Sequence, residues 1–273
     1  MRIALCNEVL APLPFARQCE VAAALGYDGL EVAPFTLGEE ALSSARRSGL
    51  RRAAVDAGIE VSGLHWLLRQ PAGLSITSAD TTVRARTLDT LRHQIDLCAD
   101  LGGSVLVHGS PAQRRLPPGE EAAARERGIE AFAAVAAHAQ AAGVVYCIEP
   151  LAAPEADFIH TVAEAAAIVR AIGRPALRTM LDCCAAARAE AEPVPAVLAR
   201  WLPTGLLAHV QVNDPNLRGP GQGALAFADI LRTLCQHGYA GWVAVEPFDY
   251  QPDGPMAAAR AIGYLRGLLE ALH

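Results

Sequence analysis

Eight short apolar runs each finish on an acid, an amide or a histidine: Glu8, Glu31, His65, His108, Glu149, Asp182, His209 with Gln211, and Glu246. Polar groups placed at the end of a buried strand must be paired, bound to a metal or turned to a polar cavity. One such ending is easily an accident; eight are not. Glu149, Asp182 and Glu246, joined by one nitrogen or amide ligand, make an oxygen-rich set for a divalent ion. Hard oxygen ligation favours Mg²⁺ or Mn²⁺ over zinc, which prefers Cys and His. The competing assignment pairs these acids with arginines; their placement on separate strands argues against it.

The stretch "LLAHVQVNDPNLRGPGQG" (206–223) sharpens the fourth ligand. His209 and Gln211 are two apart and so share one face of a strand. Gln211 lies nearer the strand end, and its amide oxygen can bind a metal without adding charge. His209, one layer deeper, orients a ligand by hydrogen bonding or is a core histidine satisfied by backbone. Arg218, in the following loop, can reach over the site to an anionic or enolate oxygen. His65 and His108 are candidates to hydrogen-bond substrate oxygens, Trp66 and Phe248 to wall a pocket. Arg114 and Arg115 sit in a loop that either covers the site or is solvated. Glu149 and Glu246 suit the removal and return of a proton on a carbon beside a carbonyl.

The elements that must hold these groups follow an even rhythm. Strand candidates are "RIALCNEV", "GLEVAP", "EVSGLHWL", "SVLVHG", "VVYCIEP", "RTMLDCC", "LAHVQVN" and "WVAVEPF". Helical periodicity occupies the intervals near 15–25, 39–57, 81–101, 120–142, 161–173, 190–201, 225–238 and 256–271. Eight strand–helix pairs in a chain of 273 residues predict one (β/α)8 TIM barrel spanning 1–273. In that architecture, active sites form at the C-terminal ends of the strands, where the polar residues lie. An open doubly wound sheet would usually carry a nucleotide fingerprint, and none follows the first strand.

Composition removes other chemistries. All 23 basic residues are arginine, so no lysine Schiff base or P-loop lysine exists. A net charge of −6, with no basic run longer than a pair, speaks against nucleic-acid binding. No run of apolar residues is long enough to span a membrane. The seven cysteines are odd in number and lack a C-x-x-C, which suggests free thiols in a cytoplasmic protein.

The segments "ALGYDGLEV", "VHGS", "CIEPL" followed by "DFIHT", "LD", "HVQV" and "GYAGWVAVEPF" resemble, in order, the xylose isomerase-like TIM-barrel family. That family includes sugar phosphate isomerases, hydroxypyruvate isomerase and tagatose-type 3-epimerases. The resemblance implies metal ligands at Glu149, Asp182, Gln211 and Glu246. It also implies substrate contacts from Glu155, six residues after Glu149, and from Arg218, seven after Gln211. The "H-x-Q" pattern is similar to that of hydroxypyruvate isomerase. Where many members place a substrate-binding histidine, three residues after the aspartate, this chain has Ala185.

The expected activity is therefore isomerisation or epimerisation of a small sugar, sugar phosphate or hydroxy-keto acid, aided by Mg²⁺ or Mn²⁺. A lyase of the dehydroshikimate or inosose dehydratase kind shares its first step. A binding protein without catalysis is the third alternative. The substrate expected is a small polyhydroxy carbonyl compound, and the resemblance implies a dimer or tetramer.

Overall fold

The computed structural model describes residues 1–38, 42–153 and 155–272. Eight parallel strands close in sequence order into a barrel. They are β1 (Arg2–Cys6), β2 (Gly29–Val32), β3 (Glu60–Leu64), β4 (Val105–His108), β5 (Val145–Ile148), β6 (Leu177–Asp182), β7 (Leu207–Val212) and β8 (Trp242–Val245). Their near-continuous apolar character follows from burial on both faces, with side chains inside the barrel and helices outside. The helices among the described residues are α1 (Phe15–Leu25), α2 (Ser44–Asp56), α3 (Thr81–Leu101), α4 (Glu121–Ala142), α5 (Val162–Ile172), α6 (Cys183–Ala189), α7 (Val194–Trp201), α8 (Phe227–Gln236) and α9 (Gly254–Ala271).

Local chemistry sets the helix ends. Asp80 caps α3 by accepting the Thr82 amide at 2.7 Å, and Thr161 caps α5 by accepting that of Glu164 at 3.2 Å. Caps of this kind contribute about 1 kcal/mol each. At their C-termini α3 and α4 stop on Gly102 and Gly143, whose φ of 83° and 74° a side chain would resist. The large core lies between barrel and helices; Phe132 of α4 and Phe227 of α8 are fully buried in it. Burying each such side chain is worth roughly 1.5–3 kcal/mol.

Three expectations shift. The interval 39–57 holds α2 from Ser44 onward, with residues 39–41 outside the described ones. The helix expected from 190 begins at Val194, because Pro193 and Pro195 fit only its cap and first turn. The strand read as "RTMLDCC" ends at Asp182, and Cys183 opens α6 instead. The cause is Asp182 itself, whose Oδ1 accepts the Ala185 amide at 2.7 Å and starts a helix on the spot.

Two irregularities in strand register matter to the site. One falls between Leu30 and Glu31 where β2 meets β3, the other between Thr179 and Met180 where β6 meets β7. After the second shift Met180 pairs with His209 and Asp182 with Gln211.

Candidate active site

Glu149 and Glu246 directly follow β5 and β8, and Asp182 closes β6, all at one end of the barrel. One oxygen of each lies within 4.8 Å of the others, and all three side chains are buried. Backbone pairing anchors them first. The Glu149 amide donates to His108 C=O at 3.2 Å, and that of Glu246 to Val212 C=O at 3.3 Å. Among the described residues no arginine forms an ion pair with any of the three. The buried Arg114 guanidinium comes near, with Nη1 donating to the Glu149 carbonyl oxygen at 2.8 Å.

Crowding these acids has an electrostatic consequence. Burial, reinforced by Glu246 and Asp182, raises Glu149 well above the usual carboxylate range. Burial lifts Asp182 to about 7, against the Ala185 amide that favours its charged form. Burial likewise lifts Glu246 to about 8, although His65 opposes it. A cation would relieve all three. Asp182 Oδ2 and Gln211 Oε1 are also buried oxygens without a hydrogen-bond partner among the described residues. An unsatisfied buried acceptor costs about 1–3 kcal/mol, which coordination removes. The three clustered carboxylates of Glu149, Asp182 and Glu246 thus have the donor chemistry of a hard divalent site.

A second layer of charge lies beneath. Glu31, fully buried on β2, accepts the Gln211 Nε2–H at 2.7 Å. Its other oxygen is 2.7 Å from His209 Nε2, a contact off the line of an ideal hydrogen bond. Burial alone would raise Glu31, but the neighbouring His209 leaves it below the usual value. His209 is wholly buried and absent from the cavity wall, one layer down from the acids.

Above the acids opens a cavity of about 310 Å³, with Glu149, Glu246 and His65 among its lining residues. His65 Nδ1 is 2.9 Å from Glu246 Oε1, and Nε2 is 3.0 Å from Glu8 Oε2. Burial opposes its charging, yet Cys6, Glu8 and Glu246 together push its pKa well above the ordinary histidine value. Trp66 and Phe248 line the wall edge to face, with centroids 6.4 Å apart. Glu155 also lines it, with Oε1 accepting from Arg188 at 2.7 Å.

Two expected substrate contacts lie elsewhere. His108 turns outward, with its ring 5.1 Å from Phe132 of α4 and Nδ1 on the Tyr146 hydroxyl. The reason is strand parity: Val105 and Val107 cluster with Cys147 and Met180 inside the barrel, so His108 must face the helices. Burial there, with Arg114 nearby, depresses its pKa to about 3. Arg218 Nε pairs with Asp249 at 2.9 Å, and it is Leu217 instead that lines the cavity. Arg114, read with Arg115 as part of a loop that either covers the site or is solvated, is fully buried, whereas Arg115 pairs with Asp157 at 2.9 Å.

Sequence reasoning missed several contributors. Glu8 and Glu31 were visible as strand-end acids but received no role. Gly109 lines the cavity, and a Cβ there would lie 2.1 Å from Glu149 Oε2, so only glycine leaves that carboxylate its place. Asn213 ties the ends of two strands, accepting the Cys184 amide at 2.9 Å and donating to Glu246 C=O at 3.1 Å. Asp214 braces the loop of the "VNDPNLRGPGQG" stretch, accepting the Ala224 amide at 3.0 Å.

The family model for the xylose isomerase-like TIM barrel matches residues 19–268. A D-psicose 3-epimerase of Agrobacterium fabrum is 29% identical over 245 residues, covering 86% of this chain and 79% of its own. A putative hydroxypyruvate isomerase of Streptomyces coelicolor is 28% identical over 263 residues, covering 90% and 88%. Among solved structures, an L-ribulose 3-epimerase superposes with a TM-score of 0.84 at 24% identity, covering 99% of this chain and 95% of the other. With a barrel closed in strand order and a family match over nearly its whole length, the chain belongs to the xylose isomerase-like TIM-barrel family.

Proposed function

We propose that the protein is a divalent-metal-dependent isomerase or epimerase of a small polyhydroxy carbonyl compound. The observation that carries this reading is the convergence of Glu149, Asp182 and Glu246 within 4.8 Å beside a cavity of about 310 Å³. Epimerase and isomerase relatives covering most of the chain support it. Glu149, Asp182, Gln211 and Glu246 would hold a Mg²⁺ or Mn²⁺, which would supply Lewis acidity beside the substrate carbonyl and so acidify the neighbouring C–H.

The chain's own groups do the rest. Glu149 and Glu246 approach from β5 and β8, so one removes the proton and the other returns it to the same or the neighbouring carbon. A carboxylate offers about four lone-pair sites, so each can bind the ion and a neighbour and still face substrate. His65 steadies Glu246 through Nδ1, and Glu8 steadies His65. Trp66, Phe248, Leu151 and Leu217 wall the reacting carbons from water. Among the described residues, those lining the cavity include acids but no arginine, which favours a neutral ketose over a sugar phosphate or hydroxy-keto acid. Cytoplasmic residence, a homo-oligomeric state and one domain over 1–273 belong to the same proposal; six buried free thiols fit a reducing compartment.

The test is incubation of the Mn²⁺-loaded protein in D₂O with a panel of ketoses, ketose phosphates and hydroxypyruvate. The reading expects an isomeric product carrying deuterium at the epimerised or isomerised carbon, fastest with a neutral ketose. A product lighter by one water would instead identify a lyase. No exchange with any member would leave a binding protein.

A further inference from the structure

We propose that Glu31 is a positioning residue whose carboxylate orients the Gln211 amide, so that its oxygen is presented to the metal-binding acids. This rests on the metal reading above, because it concerns how one ligand of that ion is aimed. The two ends of an amide are nearly alike in shape, and only their hydrogen-bond partners decide which way they face. Gln211 is fully buried, so water does not decide it. Its Nε2 donates to Glu31 Oε1 at 2.7 Å, while its Oε1 has no partner among the described residues. A carboxylate only accepts. Flipping the amide would set oxygen against oxygen on one side and turn N–H groups toward the cation site on the other.

The support for Glu31 is built across the barrel. β2 and β7 are not neighbours, since β1 and β8 lie between them, so the Glu31–Gln211 bond crosses the interior. The register shift at Leu30/Glu31 accompanies this inward aim. Glu31 Oε2 is 2.7 Å from His209 Nε2, and Cys6 Sγ and His65 Nδ1 stand 3.8 Å and 3.9 Å from Oε1. Folding gains little from such an arrangement, because well-packed apolar residues usually replace a buried ion pair without loss of stability. Glu31 is also absent from the cavity wall, so contact with substrate does not explain it. Aiming a ligand does.

The test measures Mn²⁺ affinity, by the electron paramagnetic resonance signal of free Mn²⁺, on the full-length protein. It compares the wild type with Glu31→Gln, Gln211→Glu and the double variant, alongside melting in chelator. In Glu31→Gln the facing group offers a donor as readily as an acceptor, so the Gln211 oxygen is no longer held in place. Affinity is expected to fall about 10–100-fold while the chelated protein still melts cooperatively. The double variant exchanges the two groups, keeps the net charge and the amide–carboxylate bond, and presents a carboxylate to the ion. It is expected to recover at least wild-type affinity, a rescue that a packing role would not produce. Wild-type affinity in Glu31→Gln, or a double variant as weak as that single one, overturns the proposal. Should Glu31→Gln not fold, the double variant must bind Mn²⁺ more tightly than Gln211→Glu; the reverse order overturns it. A wild-type protein that binds neither Mn²⁺ nor Mg²⁺ removes the metal reading first, and this inference with it.

Discussion

Glu149 and Glu246 are the same residue type in unequal surroundings: Glu246 is held by His65, whereas Glu149 rests against Gly109 and the Arg114 guanidinium. Replacing either by glutamine removes the proton acceptor but keeps the shape. Glu149→Gln and Glu246→Gln should each lower turnover by at least about 10²–10⁴-fold. Both should melt no lower than wild type in chelator, since carboxylate crowding is relieved. Full activity in either, measured on folded protein, would contradict the two-base reading. Gly109→Ala attacks the same chemistry by sterics. Its Cβ would lie 2.1 Å from Glu149 Oε2, so the carboxylate must move. A displacement near 1 Å costs about 10²-fold in turnover, readable as a drop in kcat with folding retained. At this scale the acids were legible because charge at the end of an apolar run is conspicuous. His108 was misread because its orientation depends on which strand residue faces inward, and the inward pair is Val105 and Val107.

Single elements hold these groups in register, and Asn213 is where three of them meet. It joins the first turn of α6 to the end of β8 from its own place just past β7. Asn213→Ala leaves the Cys184 amide and the Glu246 carbonyl unpaired in a buried place, a loss of about 2–4 kcal/mol. Melting should fall, and Mn²⁺ affinity with it, because Asp182 and Glu246 both depend on that join. An unchanged melting curve would show that the two groups find other partners. The strand–helix alternation was legible from periodicity, and helix ends from Gly, Asp and Thr. The short α6 was not, because "LDCCA" reads as continued strand until Asp182 is seen to cap its own successor. Arg218 was read as reaching over the site, but its partner Asp249 comes from a different loop, which spacing along the chain does not reveal.

Across the whole molecule, the gathered acids lead to predictions about stability as pH and Mn²⁺ are varied. Asp182 and Glu246 have folded values of about 7 and 8, above the roughly 4 of free carboxyls, so the folded state holds protons that the unfolded chain has released. Their contribution is complete below about pH 4 and is lost as pH rises through 7 and 8. Thermal melts in chelator should therefore show stability declining from pH 5 to 8.5. Mn²⁺ should reverse the decline, with its effect growing as pH rises, because the ligands must shed protons to bind. A chelated protein that gains stability over that range would disprove the crowding. The amino-acid sequence alone settled the barrel, through eight apolar runs alternating with helical ones, and it marked the end at which polar residues collect. Those are local properties, read from neighbours a few positions apart. Only the closed tertiary structure decided which polar groups face one another: Gln211 reaches Glu31 across the interior, while His108 turns to the helices. Inward or outward aim depends on register between strands distant in the chain, and no local pattern encodes that.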